Sequence, residues 1–355
     1  MVRILYAVQG TGNGHISRAR VMAPKLRKAG FDVTFLFSGR ARAALFEMEI
    51  FDDFLWREGL TFAVSDGRIR YLETALKNNL LRFISDIRTL DLSAYDLIIS
   101  DYEPVTSWAA RKQGIPILGI GHQYAFHYPI PTTGGNLFTY KLMRYFAPAQ
   151  TRLGLHWHHF GQPILPPIVE IPDIPKTIER DSILVYLPIE KASSIVDLLK
   201  GFTDHRFIVF HPHVPDGNCP KNIEFHSISR QGFQRMFALC NGVLTNAGFE
   251  LTSEALQAGK KILAKPLLGQ FEQLSNALAL QNCGLGSVMH TLSAASVARW
   301  LSRDKRVQVV YPDTAQLIVD HLNTEGVQFN RDWFEAAWHK VVWTNPAPGR
   351  HSEAA

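Results

Sequence analysis

The sequence predicts an α/β protein built from two Rossmann-like, doubly wound domains that face each other across a cleft. Three observations carry that prediction. Strand-like apolar runs alternate with helix-like runs along the chain, the rhythm of a parallel sheet covered by helices on both faces. The rhythm occurs twice, on either side of Gln162 to Lys176 (QPILPPIVEIPDIPK), whose five prolines cannot sit inside regular elements. Finally, 355 residues exceed what one hydrophobic core organises, domains running to about 100–200 residues. The expected division is a first domain over 1–161, an extended linker over 162–176 and a second domain over 177–328. A terminal helix over 329–345 is expected to cross back onto the first domain, followed by a flexible tail over 346–355.

In the first half, Val2 to Val8 reads as an apolar strand, Ser17 to Ala29 as a helix and Asp32 to Ser38 as a second strand, with Gly30 placed as a glycine that stops a helix. Tyr95 to Ser100 (YDLIIS) and Ile115 to Ile120 (IPILGI) read as buried strands flanking a helix over Pro104 to Gln113. Arg68 to Leu92 mixes basic and apolar residues at helical spacing. Tyr124 to Gly161 is irregular and reads as loop and short helix. The second half repeats the series, with strands at Ser182 to Leu187, Arg206 to His211, Asn222 to His226, Gly242 to Thr245 and Ile262 to Ala264. Its helices fall at Gln231 to Cys240 and Leu251 to Ala258, and Ser193-Ser194 stands where a further helix starts and is expected to cap it. The terminal Arg331 to Val342 carries Trp333, Phe334, Ala337, Trp338 and Val341 on one stripe.

Composition narrows the function classes. Hydrophobic residues make up 46% and charged residues 19%, without low-complexity tracts or a fixed-period repeat, which excludes disordered, solenoid and coiled-coil readings. No apolar run approaches the roughly 18–20 residues of a membrane span, and the chain enters a strand without a secretory h-region, so a cytoplasmic location is expected. Cys219, Cys240 and Cys283 are scattered and lack CxxC spacing, which argues against a disulfide framework or a zinc site. The net charge of +5 suits an anionic partner, and the absence of helix-turn-helix, RNP or zinc-finger patterns turns that expectation away from nucleic acid.

Chemistry concentrates at strand-to-helix turns. Gly10-Thr11-Gly12-Asn13-Gly14-His15 follows a strand and opens a helix, so its glycines bring backbone N–H groups close to an anion or a sugar. A dinucleotide fingerprint would need glycine where His15 stands and an acidic residue where the second strand ends, in Ser38-Gly39-Arg40; only an NADP reading through Arg40 survives. His15 at the mouth of the turn is better read as a base. Asp101, past the carboxyl end of YDLIIS, can orient it, fixing the tautomer and stabilising the imidazolium, though an aspartate there can also cap the helix at Pro104.

In the second half, Thr245 to Glu254 (TNAGFELTSE) is a strand, a glycine turn and a helix start, the arrangement that cradles a diphosphate. Asn246, Ala247, Gly248, Phe249 and Glu250 line that turn, and Glu254, a turn further in, can accept two hydrogen bonds from a ribose diol. Glu272 and Gln273, after a strand and before a helix, suit a grip on sugar hydroxyls. Ile228 joins the expected donor-binding set, with Gly12, Asn13 and Gly14 from the first turn. His122 and Gln123, after IPILGI, and Tyr102 are candidates for contacting the acceptor. His211 and His213 follow a strand and can line the cleft. His156, His158 and His159 (HWHH) lack a partner carboxylate or cysteine at ligand spacing, and no metal site is expected.

The GxGH-type first turn joined to AGFELTSEALQAGKKILAKP…EQLSNA resembles the GT-B glycosyltransferases, especially the peptidoglycan N-acetylglucosaminyl transferase and the UDP-glycosyltransferase superfamily. The spacing of Gly248, Glu254, Gly259, Pro266, Gln273 and Asn276 is similar to those families' donor signature, in which the helix N-terminus meets the diphosphate and the glutamate the ribose. Asp101 falls where UDP-glycosyltransferases keep the acid of a His–Asp dyad. Two departures leave the donor sugar open: Asn246-Ala247-Gly248 replaces the usual His-Gly-Gly or Ser-Gly, and Glu272-Gln273 replaces Asp-Gln. The resemblance implies a glycosyltransferase moving a sugar from a nucleotide-sugar donor, a UDP-sugar, to an acceptor hydroxyl. Transfer would be inverting, metal-independent and without a cofactor, the nucleotide sugar being a substrate. A UDP-sugar 2-epimerase and a non-catalytic sugar-nucleotide-binding protein are the alternatives.

The acceptor is expected to be a glycan or a lipid-linked molecule of the cell envelope, met at the inner face of the membrane. Arg68, Arg70, Lys77, Arg82 and Arg88 interleave with Tyr71, Leu72, Leu76, Leu80, Leu81 and Phe83, a pattern suited to an anionic membrane surface, although an ordinary core-covering helix has the same look. Tyr140, Lys141, Arg144, Tyr145, Phe146 and Arg152 form a second cluster of that kind.

Overall fold

The computed structural model describes residues 1–61, 64–65, 68–69, 79–170, 178–215, 217, 219–303 and 306–344. Residues 70–78 of the mixed basic and apolar stretch, 171–176 of the proline-bearing segment and the tail 346–355 lie outside the described residues. The first half contributes β1 (Arg3–Gln9), β2 (Asp32–Ser38), β3 (Leu55–Trp56), a detached hairpin of β4 (Val64–Ser65) and β5 (Arg68–Ile69), then β6 (Leu97–Asp101), β7 (Ile117–Gly121) and β8 (Thr151–Gly154). Six of them form a parallel sheet in the order β3-β2-β1-β6-β7-β8. The second half contributes β9 (Glu179–Tyr186), β10 (Arg206–Phe210), β11 (Ile223–His226), β12 (Cys240–Asn246), β13 (Lys261–Lys265) and β14 (Ser287–Val288). These pair in parallel as β11-β10-β9-β12-β13-β14.

The two orders are the same, each reversing direction between its first and fourth strands. These are Rossmann-like halves, and ligands of such sheets bind beyond the carboxyl ends of the strands at that reversal. In the first half the reversal lies between β1 and β6; in the second, between β9 and β12. Both central strands are wholly apolar in the interior, with Ile4 to Val8 and Val243 to Leu244 fully buried, as a sheet covered on both faces requires.

Eleven helices flank the sheets among the described residues: α1 (Asn13–Lys28), α2 (Leu80–Thr89), α3 (Pro104–Gln113), α4 (Leu137–Phe146), α5 (Ala192–Leu199), α6 (Arg230–Leu239), α7 (Phe249–Gln257), α8 (Phe271–Asn282), α9 (Ala294–Leu301), α10 (Thr314–Thr324) and α11 (Arg331–His339). Ile16, Ala19, Met22, Ala23 and Leu26 of α1 recur at helical spacing and bury against the first sheet. Gly30 ends that helix in the left-handed region, φ +86°, where a side chain would be strained. α1 begins at Asn13 rather than Ser17, so His15 lies inside its first turn.

Several expectations need correcting. Of the stretch Arg68 to Leu92, only Leu80–Thr89 is helical among the described residues, and Arg68 belongs to a strand. Phe83 packs on the core around Leu90, Leu92 and Val105, and Phe146 is buried beside Tyr102 and Tyr124, so neither belongs to an outer face. Ser193-Ser194 does not cap α5: the N-cap is Lys191, and no side chain bonds there.

The chain crosses between the halves more than once. Lys25 Nζ of α1 pairs with Asp313 Oδ2, the N-cap of α10, at 2.5 Å. Trp338 of α11 donates its indole N–H to Ile164 O at 2.6 Å, its ring lying against His158 and His159. β15 (Val309–Val310) pairs antiparallel with β16 (Val342–Trp343) beside these helices.

Candidate active site

The carboxyl edge of the first sheet places His15 and Asp101 at the β1/β6 reversal. Asp101 is the last residue of β6 and fully buried; His15 Nδ1 lies 2.6 Å from its Oδ1. With Nδ1–H donated to the carboxylate, the lone pair of Nε2 is left for a reacting proton. The capping role open to Asp101 falls instead to Glu103, whose carboxylate accepts from Val105 N at 2.9 Å and Thr106 N at 2.6 Å. Asp101 is thereby freed for side-chain partners. The next residue, Tyr102, holds φ +54°, a conformation that non-glycine residues rarely adopt and that recurs at functional sites. Its hydroxyl donates to Met143 O at 2.9 Å, which commits the side chain to α4.

Asp101 has a second partner that the motif did not announce. Arg18, one turn beyond His15 on the same face of α1 and 2% exposed, donates Nε–H to Asp101 Oδ2 at 2.7 Å and an Nη2–H to Oδ1 at 2.6 Å. The planar fork matches the carboxylate bidentately, a geometry lysine cannot reproduce. Burial opposes ionisation of Asp101, but Arg18 and His15 hold its carboxyl below the usual range. The Arg18 signal was present in the sequence as an i, i+3 neighbour of His15 on a helix.

Arg18 also reaches the other half, its Nη1 donating to Glu250 Oε1 in the first turn of α7. The helix starts lie close enough that a Cβ on Gly14 would come within 2.6 Å of Glu250 Cγ. Burial pushes the Glu250 carboxyl up to about 7, although Arg18 pulls it back. The side chain of Glu254, one turn on, makes no hydrogen bond and no ion pair among the described residues, and burial pushes its carboxyl to about 8.

Other expected residues gather around the same cleft. Asn13 donates to Tyr186 Oη at 3.4 Å and accepts from Arg40 at 2.9 Å, linking the first turn to the end of β9. Gly12 and Gly248 are the extended N-caps of α1 and α7, and neither helix has a side-chain cap. Asn246, closing β12, donates to Lys265 O at 3.0 Å while its buried Oδ1 has no partner among the described residues. His122 lies between Leu155 O (Nδ1, 2.8 Å) and Asn276 Oδ1 (Nε2, 2.6 Å) and stacks on Phe249 at 4.0 Å. Asn276 in turn donates to Ala247 O at 3.0 Å. Gln123 donates to Glu272 Oε2 at 3.1 Å, and its buried Oε1 has no partner among the described residues.

Some expected residues serve the fold. Gln273 Oε1 accepts from Leu267 N at 3.0 Å, and α8 is capped by Gln270. His211 is held by backbone oxygens of His213 and Glu190. In the HWHH run, His156, His158 and His159 each accept a nearby backbone N–H at Nδ1. Ile228 sits half-buried in the loop between β11 and α6.

A model of the family described as glycosyl transferase family 1 matches residues 2–304. The chain belongs to that family. Solved structures agree on the fold. The glycosyltransferase SnogD from Streptomyces nogalater is 17% identical, with a TM-score of 0.56 over 91% of this chain and 95% of its own. MurG of Acinetobacter baumannii is 15% identical, with 0.53 over 90% and 98%. LpCGTa in complex with UDP is 15% identical, with 0.58 over 95% and 98%. At such identities the likeness shows the fold alone, the GT-B arrangement of two Rossmann-like domains. No curated protein matches the sequence.

Proposed function

We propose that this glycosyltransferase moves a sugar from a UDP-sugar to an acceptor hydroxyl, with inversion and without a metal. The observation that carries the reading is the 2.6 Å contact between His15 and Asp101 at the sheet reversal, with Nε2 left free. In the proposed step, the acceptor hydroxyl gives its proton to Nε2 as its oxygen bonds to the anomeric carbon. The bond from that carbon to the diphosphate oxygen breaks, its electron pair leaving with the nucleotide. Asp101 stabilises the imidazolium, and the uncapped first turn of α7 faces the departing charge. Glu254 would take the ribose diol, and Glu272 and Gln123 the donor sugar. A nucleoside diphosphate donor is supported by the UDP held by LpCGTa and by the thymidine diphosphate held by SsfS6 of Streptomyces sp. SF2575. His15→Ala, with donor binding followed separately, tests the base. Turnover should fall about 10²–10⁴-fold with binding retained, and near-normal turnover removes His15 from the mechanism.

The acceptor side of the proposal is a lipid-linked molecule at an anionic membrane surface. Its support is the outer face of two helices of the first half. α2 exposes Leu80, Leu81 and Ile84 beside Arg82 and Arg88, and α4 exposes Leu137, Phe138, Tyr140 and Tyr145 beside Lys141 and Arg144. No helix among the described residues is long and apolar enough to cross a membrane. Cosedimentation with anionic and neutral liposomes at low and physiological salt decides the matter: salt-sensitive binding to anionic vesicles is expected, and no binding under any condition sinks the proposal.

A further inference from the structure

Glu250 occupies an unusual place for an acid. It stands in the first turn of α7, the turn assigned to the donor diphosphate in the function proposed above, on which this inference rests. A carboxylate at a helix N-terminus is favourable to the helix alone. Here, however, it does not bond the N-terminal N–H groups; it crosses to Arg18. Arg18 is nearly inaccessible and carries two carboxylates at once, Asp101 through two N–H bonds and Glu250 through one. A diphosphate arriving at this turn beside an ionised Glu250 would meet like charge in a poorly screened environment.

We propose that Glu250 is a stand-in anion for the donor: it holds Arg18 until the nucleoside diphosphate arrives, then yields that guanidinium to a phosphate oxygen and takes up one proton. Asp101 keeps its bidentate hold on Arg18 throughout, so the exchange at Nη1 leaves the His15–Asp101 contact in place. The balance is one proton from solvent for each donor that binds to the ionised form of Glu250. Near neutrality that proton is readily taken up, because burial sets the Glu250 carboxyl at about 7. The charged and titratable groups around it act in both directions. From α1, Arg18 favours the carboxylate; Asp101 of β6 and Glu272 of α8 favour the protonated form, while Glu254 of α7 and Tyr6 of β1 couple to the same cluster. His15 touches both members of the Arg18–Asp101 pair, its Nδ1 lying 2.6 Å from Asp101 Oδ1 and 3.1 Å from Arg18 Nη2.

The experiment is calorimetric titration of the whole protein with UDP and with UMP, at pH 6 and pH 8, for the native chain and for Glu250→Gln. At pH 8 the native chain must first protonate Glu250, which weakens UDP binding about tenfold for a group titrating near 7. Glu250→Gln should therefore bind UDP about tenfold tighter than the native chain at pH 8 and about equally at pH 6. Buffers of different ionisation enthalpy should show uptake of nearly one proton per UDP by the native chain at pH 8 and of none at this position by the variant. UMP, lacking the second phosphate, should show a smaller difference. Equal or weaker UDP binding by Glu250→Gln at pH 8, in a variant whose melting curve shows a folded protein, overturns the inference. Failure of the native chain and the variant alike to bind UDP overturns the UDP-sugar reading beneath it.

Discussion

The starts of α1 and α7 are two versions of one device. Each helix follows a central strand of its sheet, each begins at a glycine N-cap in extended backbone, and neither N-cap offers a side chain to the first turn. Their electrostatics are opposite. The first turn of α1 carries no acid and supplies His15, with the Arg18 cation one turn on; the first turn of α7 carries Glu250. The difference teaches that the same backbone geometry offers N–H groups at both places, while side chains set one turn with an imidazole and a guanidinium and the other with a carboxylate. Arg18 joins the two, since one guanidinium serves a carboxylate from each half.

The largest expected effect comes from Asp101→Asn. The amide keeps the shape but loses the charge that steadies an imidazolium and that Arg18 is matched to, so kcat should fall on the order of 10³–10⁴-fold. A loss of less than tenfold would mean that the α1 turn does not carry the chemistry. Gly14→Ala should come next, because its methyl would meet Glu250 Cγ at 2.6 Å. Overpacking of this kind costs about 1–3 kcal/mol, and Glu250→Ala in the same chain should recover much of the loss in thermal unfolding; no recovery would break the picture of two helix starts in contact.

A smaller effect follows from pH. Burial sets Glu254 at about 8 and Glu250 at about 7, both above the ordinary 4.5. A folded state that keeps these protons has its full contribution from them below about pH 4.5 and loses it as pH rises through 7 and 8. Between pH 7 and 8.5 the unfolding free energy should drop by about 1 kcal/mol through Glu254 and a few tenths through Glu250. Burial lowers the pKa of His122, His127, His156, His158 and His159, and these weaken the fold only on the acid side, so the histidines do not contribute to the drop in this window. Chemical denaturation of Glu254→Gln at the two pH values should show the slope flattened, and an unchanged slope rejects Glu254 as its source. The smallest effect is Gly248→Ala, where φ is −73° and a Cβ would meet nothing within 4 Å. Stability should change by less than about 0.5 kcal/mol, and a larger loss would show that α7 needs its glycine as strictly as α1 needs Gly14.

Much of this molecule was legible in the chain. Apolar runs marked the central strands, since a parallel sheet covered on both faces admits little else, and glycine turns marked where α1 and α7 begin. His15 and Asp101 could be paired from the sequence because one follows β1 across a short glycine turn and the other ends β6, and the sheet order sets those two strands side by side. Residues whose roles depend on packing were harder to place. Glu103 rather than Asp101 caps α3, a choice between two acids two positions apart that the local sequence leaves open. Phe83 and Phe146 looked like surface residues because helical spacing alone does not say which stripe meets the core.

By itself, then, the sequence determined two doubly wound halves and the glycine turns that follow their central strands, because strand periodicity and glycine placement are local properties of the chain. Only the tertiary structure decided that Arg18 grips Asp101 and reaches Glu250, 232 positions away. A hydrogen bond of that kind depends on how two separately folded sheets approach one another, and no local pattern records it. Ion pairing across the cleft is set by that approach, and Glu250, raised by burial, lies against the first half through Arg18 and Gly14.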